Sequence, residues 1–426
     1  MSVTLTLLVT FFILLILNVP VAFSLACSSF VTILLCMDLP LTIIVQRLFV
    51  TFDSFPMMAI PLFMLAGALM NGSGITDRII RLADLAVGHI RGGLAQTNIL
   101  ASVFFASISG SAAADTSVMG ATLIPAMQKR GYDTDFSIAV TCTSSCLGPI
   151  IPPSLMMIIY ASITGLSVGK LFIAGVIPGL FLAATLMITT YIIARKKNYP
   201  VSPKARFSEF LKALGGALDA LLMPVIIIGG VMSGVFTATE SGAIAVLYGI
   251  IVGLIRKQLT IKKLWDAIYE AALTTGSMML IIGSAAIFSW ILTIDQFPLR
   301  VVNLLTSFCD TKIMATVILL VLFLIVGMFI DGTSALMILV PILLPITVQY
   351  GFDPIHFAMF MVITLLIGGV TPPVGILLYI GCGIANVQVA STLKMLTPYI
   401  LTMIAVALLV GLIPPLTTLL PNLIFP

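Results

Sequence analysis

An all-α polytopic membrane protein is the fold class this chain predicts, built as an inverted-topology repeat with two re-entrant helical hairpins and two broken transmembrane helices. Three observations carry that expectation. Hydrophobic residues fill 60% of the 426 positions and charged residues only 8%, far from the roughly 25% charge of soluble domains, and mean hydropathy is +1.23. One central apolar stretch stops short of the roughly 20 residues a spanning helix needs and turns at a polar cluster. The second half of the chain then repeats the backbone-controlling residues of the first.

Leu5 to Leu17 resembles a signal-peptide core. No basic residue precedes it and no small-x-small cleavage pattern followed by a soluble domain appears, so an uncleaved helix is expected. Asn18 and Pro20 separate it from a second apolar helix ending near Cys36, and residues 38 to 52 mix Gln46 and Arg47 with apolar residues, as a tilted or interfacial segment does. Ser54 to Met70 is the next span, interrupted by Pro56 and Pro61, and Asn71-Gly72-Ser73-Gly74 reads as a turn. Ile75 to Ile90 sets Arg78 and Arg81 on one face and Ile79, Leu82 and Leu85 on another, the pattern of an interfacial helix or of a loop-end helix with a solvated face.

The stretch from Leu94 to Tyr160 organises the rest. Its run from Ile99 to Ile108 ends at Ser109-Gly110-Ser111 with Asp115 close behind, and Val118 to Met127 leads back to Lys129 and Arg130. Arg91 precedes the first piece, so both ends carry basic charge on one side, as a re-entrant hairpin requires. The following helix should break at Gly148-Pro149 and Pro152-Pro153, because proline lacks the N–H and disfavours helix in the residue before it. Irregular backbone at that depth is tolerated only where protein buries it or where it lines a polar cavity.

Leu171 to Ala194 reads as a plain spanning helix ending in Arg195-Lys196-Lys197, with Lys204 and Arg206 in the following loop. Residues 207 to 220 look amphipathic, and the apolar runs Leu221 to Phe236 and Ala243 to Ile255 flank Thr237-Ala238-Thr239-Glu240-Ser241. Arg256, Lys257, Lys262 and Lys263 close them. Two basic loops with two spans between them lie on one side, which the positive-inside rule makes the cytoplasm.

Adding 220 to a position carries Leu123 to Leu343, Pro125 to Pro345, Gly131 to Gly351, Asp133 to Asp353, Gly148 to Gly368, Pro152-Pro153 to Pro372-Pro373 and Pro178 to Pro398. The shared residues are mostly Gly and Pro, which govern backbone path. Charges do not repeat: Lys129-Arg130 becomes Gln349-Tyr350, and Arg195-Lys196-Lys197 becomes Pro415-Leu416-Thr417. Loss of basic charge at equivalent loops predicts halves of opposite orientation, with a binding region at the repeat interface near the midplane. The second hairpin is then Thr316 to Leu344, turning at Ile330-Asp331-Gly332-Thr333-Ser334, and the second broken helix runs from Phe357 to Ile384. Each tip carries one carboxylate, Asp115 or Asp331, and ionisable groups at that depth default to a functional reading, with helix capping as the plainer alternative.

Several functions are excluded. Net charge of +4 resides mostly in a few loops, which does not suit nucleic-acid binding. The six cysteines lie in or beside apolar runs without a CxxC pair, and the two histidines, His89 and His356, are distant from them, so neither a disulfide framework nor a zinc site is expected. No GxxxxGK[ST] loop is present, and no histidine or lysine in an apolar span could serve Ser107 or Ser111 as a base. The chain reads as a transporter rather than an enzyme, driven by an ion gradient or a partner. An ion-conducting channel or a stand-alone anion transporter without a binding protein is the alternative.

The segments FFASISGSAAADTSVMGATLIPAMQKRGYD, GPIIPPSLMMIIY, GVFTATESGAIAVLYG and GGVTPPVGILLY closely resemble the large membrane subunit of the tripartite ATP-independent periplasmic (TRAP) transporters. The resemblance covers nearly the whole chain, departing at Thr237-Ala238-Thr239-Glu240, where that family usually has proline. It implies sodium-coupled uptake of an organic acid, such as a sialic acid or a C4-dicarboxylate, across the bacterial inner membrane, with Na+ as coupling ion and no organic cofactor. It implies two partners, a periplasmic substrate-binding protein and a small membrane subunit of about four helices, and an elevator motion of the hairpin and broken-helix domain. On this reading residues 1–90 are N-terminal scaffold helices and 91–195 the first transport repeat. Residues 196–310 hold a cytoplasmic loop, an interfacial helix and further scaffold helices, and 311–426 the second transport repeat with a C-terminal helix.

Half-helix N-termini beyond the tips suit a substrate carboxylate, with Ser111, Asp115, Thr116, Asp331, Thr333 and Ser334 as candidate contacts. Sodium prefers oxygen, and carbonyls freed where a helix unwinds supply it without formal charge. Those of Gly327, Gly368, Thr371 and Val374 are expected to form one site, and Ser107, Gly148, Ile151 and Ser154, 220 positions earlier, its counterpart.

Overall fold

The computed structural model describes residues 3–425, and every regular element among them is helical. Helices α1 (Val3–Ile16) and α2 (Val21–Cys36) pair closely across a turn at Asn18 and Pro20. Next come α3 (Thr42–Phe52), a 3-10 turn over Phe55–Met58 and α4 (Ala59–Gly72). Gly74, at φ +65°, redirects the chain into α5 (Ile75–Val87), whose apolar stripe of Ile75, Ile79, Leu82 and Ala83 is buried.

The first hairpin is α6 (Gly93–Ser109) and α7 (Ala112–Lys129), followed by the broken pair α8 (Thr134–Ser145) and α9 (Leu155–Thr164). The helix expected from Leu171 to Ala194 is instead two, α10 (Val168–Ala174) and α11 (Val176–Lys197). Gly175 interrupts it where the chain passes against the backbone of Ile150.

The second half contains α12 (Phe207–Met232), α13 (Ala238–Ile255), α14 (Ile261–Ile294) and α15 (Phe297–Phe308). The amphipathic segment expected at 207 to 220 and the apolar run after it form one continuous helix, α12. The second hairpin is α16 (Lys312–Phe329) and α17 (Gly332–Gln349), its pair α18 (Pro354–Gly368) and α19 (Ile376–Ala385), and the chain closes with α20 (Val389–Leu412) and α21 (Pro415–Ile424). Eight helices among the described residues are long and apolar enough to cross a membrane.

The 220-residue offset holds element by element. It carries α5 onto α15, α6 onto α16, α7 onto α17, α8 onto α18 and α9 onto α19 within a few residues. The halves differ where α3 and α4, separated by Asp53 to Met58, correspond to the single 34-residue α14.

Both broken helices sit at the centre. All residues from Phe136 to Ser145 in α8 and from His356 to Gly368 in α18 are buried; α18 is apolar on nearly every side, as a buried helix is expected to be, whereas α8 buries Ser137, Thr141, Thr143, Ser144 and Ser145, whose hydroxyls donate to carbonyls three or four residues earlier. The halves interlock there: α7 packs on α19, and α17 on α9. Around them α14 packs on α2, α3 and α4, and α13 on α4.

Hydrogen bonds gather the basic loops at one end of the molecule. Lys197 pairs with Asp133 at 2.7 Å, Arg91 reaches Asn198 at 3.1 Å, and Arg130 reaches Ser202 at 3.2 Å. Asp219 on α12 receives Arg78 Nη1 at 2.6 Å and Arg256 Nε at 2.9 Å.

Candidate substrate cavity between the hairpin tips

The first hairpin turns because Gly110 adopts φ +58°, a conformation L side chains resist. Ser111 opens α7, its Oγ facing the Ala114 N–H at 3.5 Å. The second turns at Ile330 and Asp331, where one carboxylate oxygen of Asp331 accepts the Thr333 and Ser334 N–H groups at 3.0 and 3.4 Å. Asp331 is thus the N-cap of α17, the plainer of its two expected roles.

Both tips open onto one cavity of about 440 Å³. Ser111 contributes from the first tip, Asp331 and Thr333 from the second, and Asn71, Glu270 and Thr274 from α4 and α14. The carbonyl oxygen of the Asn71 side chain is buried without a partner. Two helix N-termini therefore point partial positive charge into a space walled otherwise by small and apolar residues.

Asp115, Thr116 and Ser334 do not line this space. Asp115 lies one turn into α7 on the face packed against α8, fully buried, with the Ser102 and Ser145 hydroxyls beside it. Neither of its carboxylate oxygens has a well-formed hydrogen bond. The Ser145 hydroxyl instead donates to Thr141 O at 2.7 Å, and Ser102 to Ser144 Oγ at 3.2 Å. The Thr116 hydroxyl donates to Ala112 O at 2.9 Å, and Ser334 is buried.

Each tip is held close to a break. A Cβ on Gly110 would stand 2.9 Å from Pro153 O, and one on Gly148 3.3 Å from Ser111 O. Of the expected carbonyl ligands, those of Gly148, Ile151, Thr371 and Val374 receive no hydrogen bond among the described residues, whereas that of Gly368 accepts the Thr371 N–H at 2.9 Å. The Thr371 hydroxyl donates to Ile367 O at 2.7 Å, and Ser154 Oγ bonds Pro149 O and caps α9. Gly327 on α16 lies against the second break, close to Leu365 O and Gly368 Cα, and Ser107 on α6 is buried. Both Pro–Pro peptides, Pro152-Pro153 and Pro372-Pro373, are cis.

Sequence reasoning passed over the polar seam of Asn98, Ser102, Thr141, Ser144 and Ser145, in which Asn98 Nδ2 donates to Thr141 Oγ1 at 2.7 Å. The signal was present: hydroxyls at spacings of three and four along an apolar helix share one face. Glu270 stands one turn after Asp266 in the N-terminal part of α14, ahead of the apolar run of that helix.

Residues 8–416 match the family described as "Tripartite ATP-independent periplasmic transporter, DctM component". The chain belongs to this family. A TRAP large subunit is a transport protein, not an enzyme, and this one is a multi-pass membrane protein. It is 37% identical to the C4-dicarboxylate TRAP transporter large permease protein DctM of Pseudomonas aeruginosa over 400 residues, covering 94% of each chain. It is also 37% identical to the isethionate TRAP transporter permease protein DctMQ of Oleidesulfovibrio alaskensis over 94% of its own length, spanning 63% of that longer protein. In fold this TRAP subunit is similar to the solved YdaH transporter of Alcanivorax borkumensis, with TM-score 0.65, 15% identity and coverage of 87% and 88% of the two chains.

Proposed function

We propose that this chain is the large membrane subunit of a sodium-coupled importer in the bacterial inner membrane, taking up an organic acid delivered by a periplasmic binding protein and working beside a small four-helix membrane subunit. The observation that carries this reading is the meeting of two hairpin tips, one from each half, at a single cavity. Chain segments that enter from opposite faces and turn back in the interior explain such a meeting. The basic end of the molecule is then cytoplasmic. The relatives named for isethionate and C4-dicarboxylates carry organic anions, which suits a cavity faced by two helix N-termini.

Substrate carboxylate contacts come from Ser111, Thr333 and the N–H groups of the first turns of α7 and α17. Sodium is held between each hairpin and the break behind it, by the free carbonyls of Gly148 and Ile151 in one half and of Thr371 and Val374 in the other. Asp115 supplies the formal charge on the first side, since a buried carboxylate without a partner calls for a cation. The interlocked hairpins and broken helices move as one body against α2, α3, α4, α13 and α14, giving elevator-type alternating access.

Reconstitution into proteoliposomes tests this. The chain with its small subunit and loaded binding protein accumulates an organic acid when an inward sodium gradient is imposed, and the chain alone accumulates none. Uptake by the lone chain, or uptake indifferent to sodium, sinks the proposal.

A further inference from the structure

The first half buries a set of polar side chains whose counterparts in the second half are apolar. Ser102 on α6, Asp115 on α7 and Ser145 on α8 are wholly enclosed, the two hydroxyls beside the carboxylate, and Asn98 and Thr141 continue the same seam. The 220-residue offset carries Asn98, Ser102, Asp115, Thr141 and Ser145 to Ile318, Leu322, Ala335, Met361 and Leu365. The second half folds the equivalent helices α16, α17 and α18 without those groups, so helix packing alone does not call for them. Polar and ionisable groups at this depth are costly.

The hydrogen bonds of the seam leave Asp115 facing acceptors. Ser145 Oγ donates to Thr141 O at 2.7 Å and Ser102 Oγ to Ser144 Oγ at 3.2 Å, while Ser144 Oγ donates to Thr141 O at 3.1 Å and Asn98 Nδ2 to Thr141 Oγ1 at 2.7 Å. A hydroxyl has one proton, so both serines turn lone pairs toward a carboxylate whose two oxygens have no partner of their own. The helices packed most closely on α7, which are α6, α8 and α19, carry no lysine, arginine or histidine. Four oxygens that only accept thus converge on a place with no donor, and an ionised carboxylate so enclosed calls for a cation. One formal charge suits a monovalent ion better than calcium or magnesium, which draw on more oxygens and more charge. Both carboxylate oxygens are closed to water, so the occupant is a bare ion rather than a hydrated one.

We propose that Asp115, Ser102 and Ser145 hold the sodium ion of the first half directly through their side-chain oxygens. The two halves then bind sodium by unlike chemistry, with a charged side-chain site between α6, α7 and α8 in the first and neutral carbonyls in the second. This inference rests on the sodium-coupled reading above and adds ligands to it.

The test is thermal stabilisation of the purified complex of large and small subunits by sodium chloride, titrated against choline chloride at constant ionic strength. Ser102→Ala and Ser145→Ala should each raise the sodium concentration for half-maximal stabilisation at least fivefold. Thr143→Ala, which removes a buried hydroxyl donating to Ala139 O on another face of α8, should leave it within twofold. Comparing midpoints rather than melting temperatures separates a lost ligand from lost packing. In the Asp115→Asn background Ser102→Ala should add less than twofold, because groups that share one ion do not act additively. If Asp115→Asn shifts the midpoint and the serine variants do not, the charge at Asp115 stands and the serine ligands are overturned. A fivefold loss from Ser102→Ala that persists beside Asp115→Asn, or an equal loss from Thr143→Ala, overturns them as well. A midpoint unmoved by Asp115→Asn removes the whole site while sodium coupling stands, and a parent complex that sodium does not stabilise overturns both together.

Discussion

Gly327 on α16 and Gly368 at the end of α18 meet backbone to backbone: a Cβ on Gly327 would stand 2.5 Å from Leu365 O, and one on Gly368 2.5 Å from Gly327 Cα. Neither position has room for a side chain. Gly368→Ala should destabilise the protein by about 1–3 kcal/mol, the usual cost of overfilling a packed interior. Gly369→Ala, whose nearest contact is 3.3 Å, should cost less. Melting curves of the two purified variants decide this, and equal losses would mean the close approach is not what makes Gly368 sensitive.

Substrate affinity should separate two threonines that look equivalent in sequence. Thr333 lines the cavity and Thr116 is buried against its own helix. Thr333→Val removes a hydrogen bond to a charged ligand, about 1.5 kcal/mol, and should raise the half-saturating substrate concentration roughly tenfold. Thr116→Val should leave it near the parent value. Uptake measured at saturating sodium discriminates the two.

Sodium dependence should respond to Asp115 in the opposite way. Asp115→Asn removes the charge and keeps the shape, so the sodium concentration for half-maximal uptake should rise tenfold or more while substrate dependence at saturating sodium changes little. A variant with the parent's sodium curve at equal expression would remove Asp115 from the ion pathway.

At the basic end, Lys197 and then the Tyr199 hydroxyl hold the Asp133 carboxyl below the usual carboxylate range. A depressed value in the folded state stabilises above the ordinary carboxylate pKa, near pH 4, and the gain fades as pH falls through the lowered value. The pair is exposed on both sides, so the effect is small. Asp133→Asn should melt slightly below the parent from pH 8 to pH 5, and the difference should close in stronger acid. A gap that persists at pH 2 would assign the effect to something other than this ion pair.

Much of this was legible in the sequence because Gly and Pro act locally. The tips at Gly110 and Asp331 and the breaks beginning near Gly148 and Gly368 fall where those residues dictate. Helix lengths were less legible. The first hairpin arm was expected to be apolar from Ile99, yet α6 begins at Gly93, because Gln96, Thr97 and Asn98 find partners in Met187 O, Asp84 Oδ1 and Thr141 Oγ1. The second arm likewise starts at Lys312 rather than Thr316. Facing was not legible at all. Whether Asp115 or Ser111 borders the cavity depends on which side of α7 meets α8, and no local pattern records that.

The two unwound segments are built alike and treated differently. Ser154 is wholly enclosed, while its counterpart Val374 is 36% exposed. On the alternating-access reading proposed for this chain, two copies of one design in two environments correspond to two frames of a single cycle. The opposite frame can be written down without being observed, by letting each half adopt the surroundings of the other. A cysteine at 374 should react with a water-soluble maleimide in the conformation described and be silent in the opposite one, and a cysteine at 154 should do the reverse.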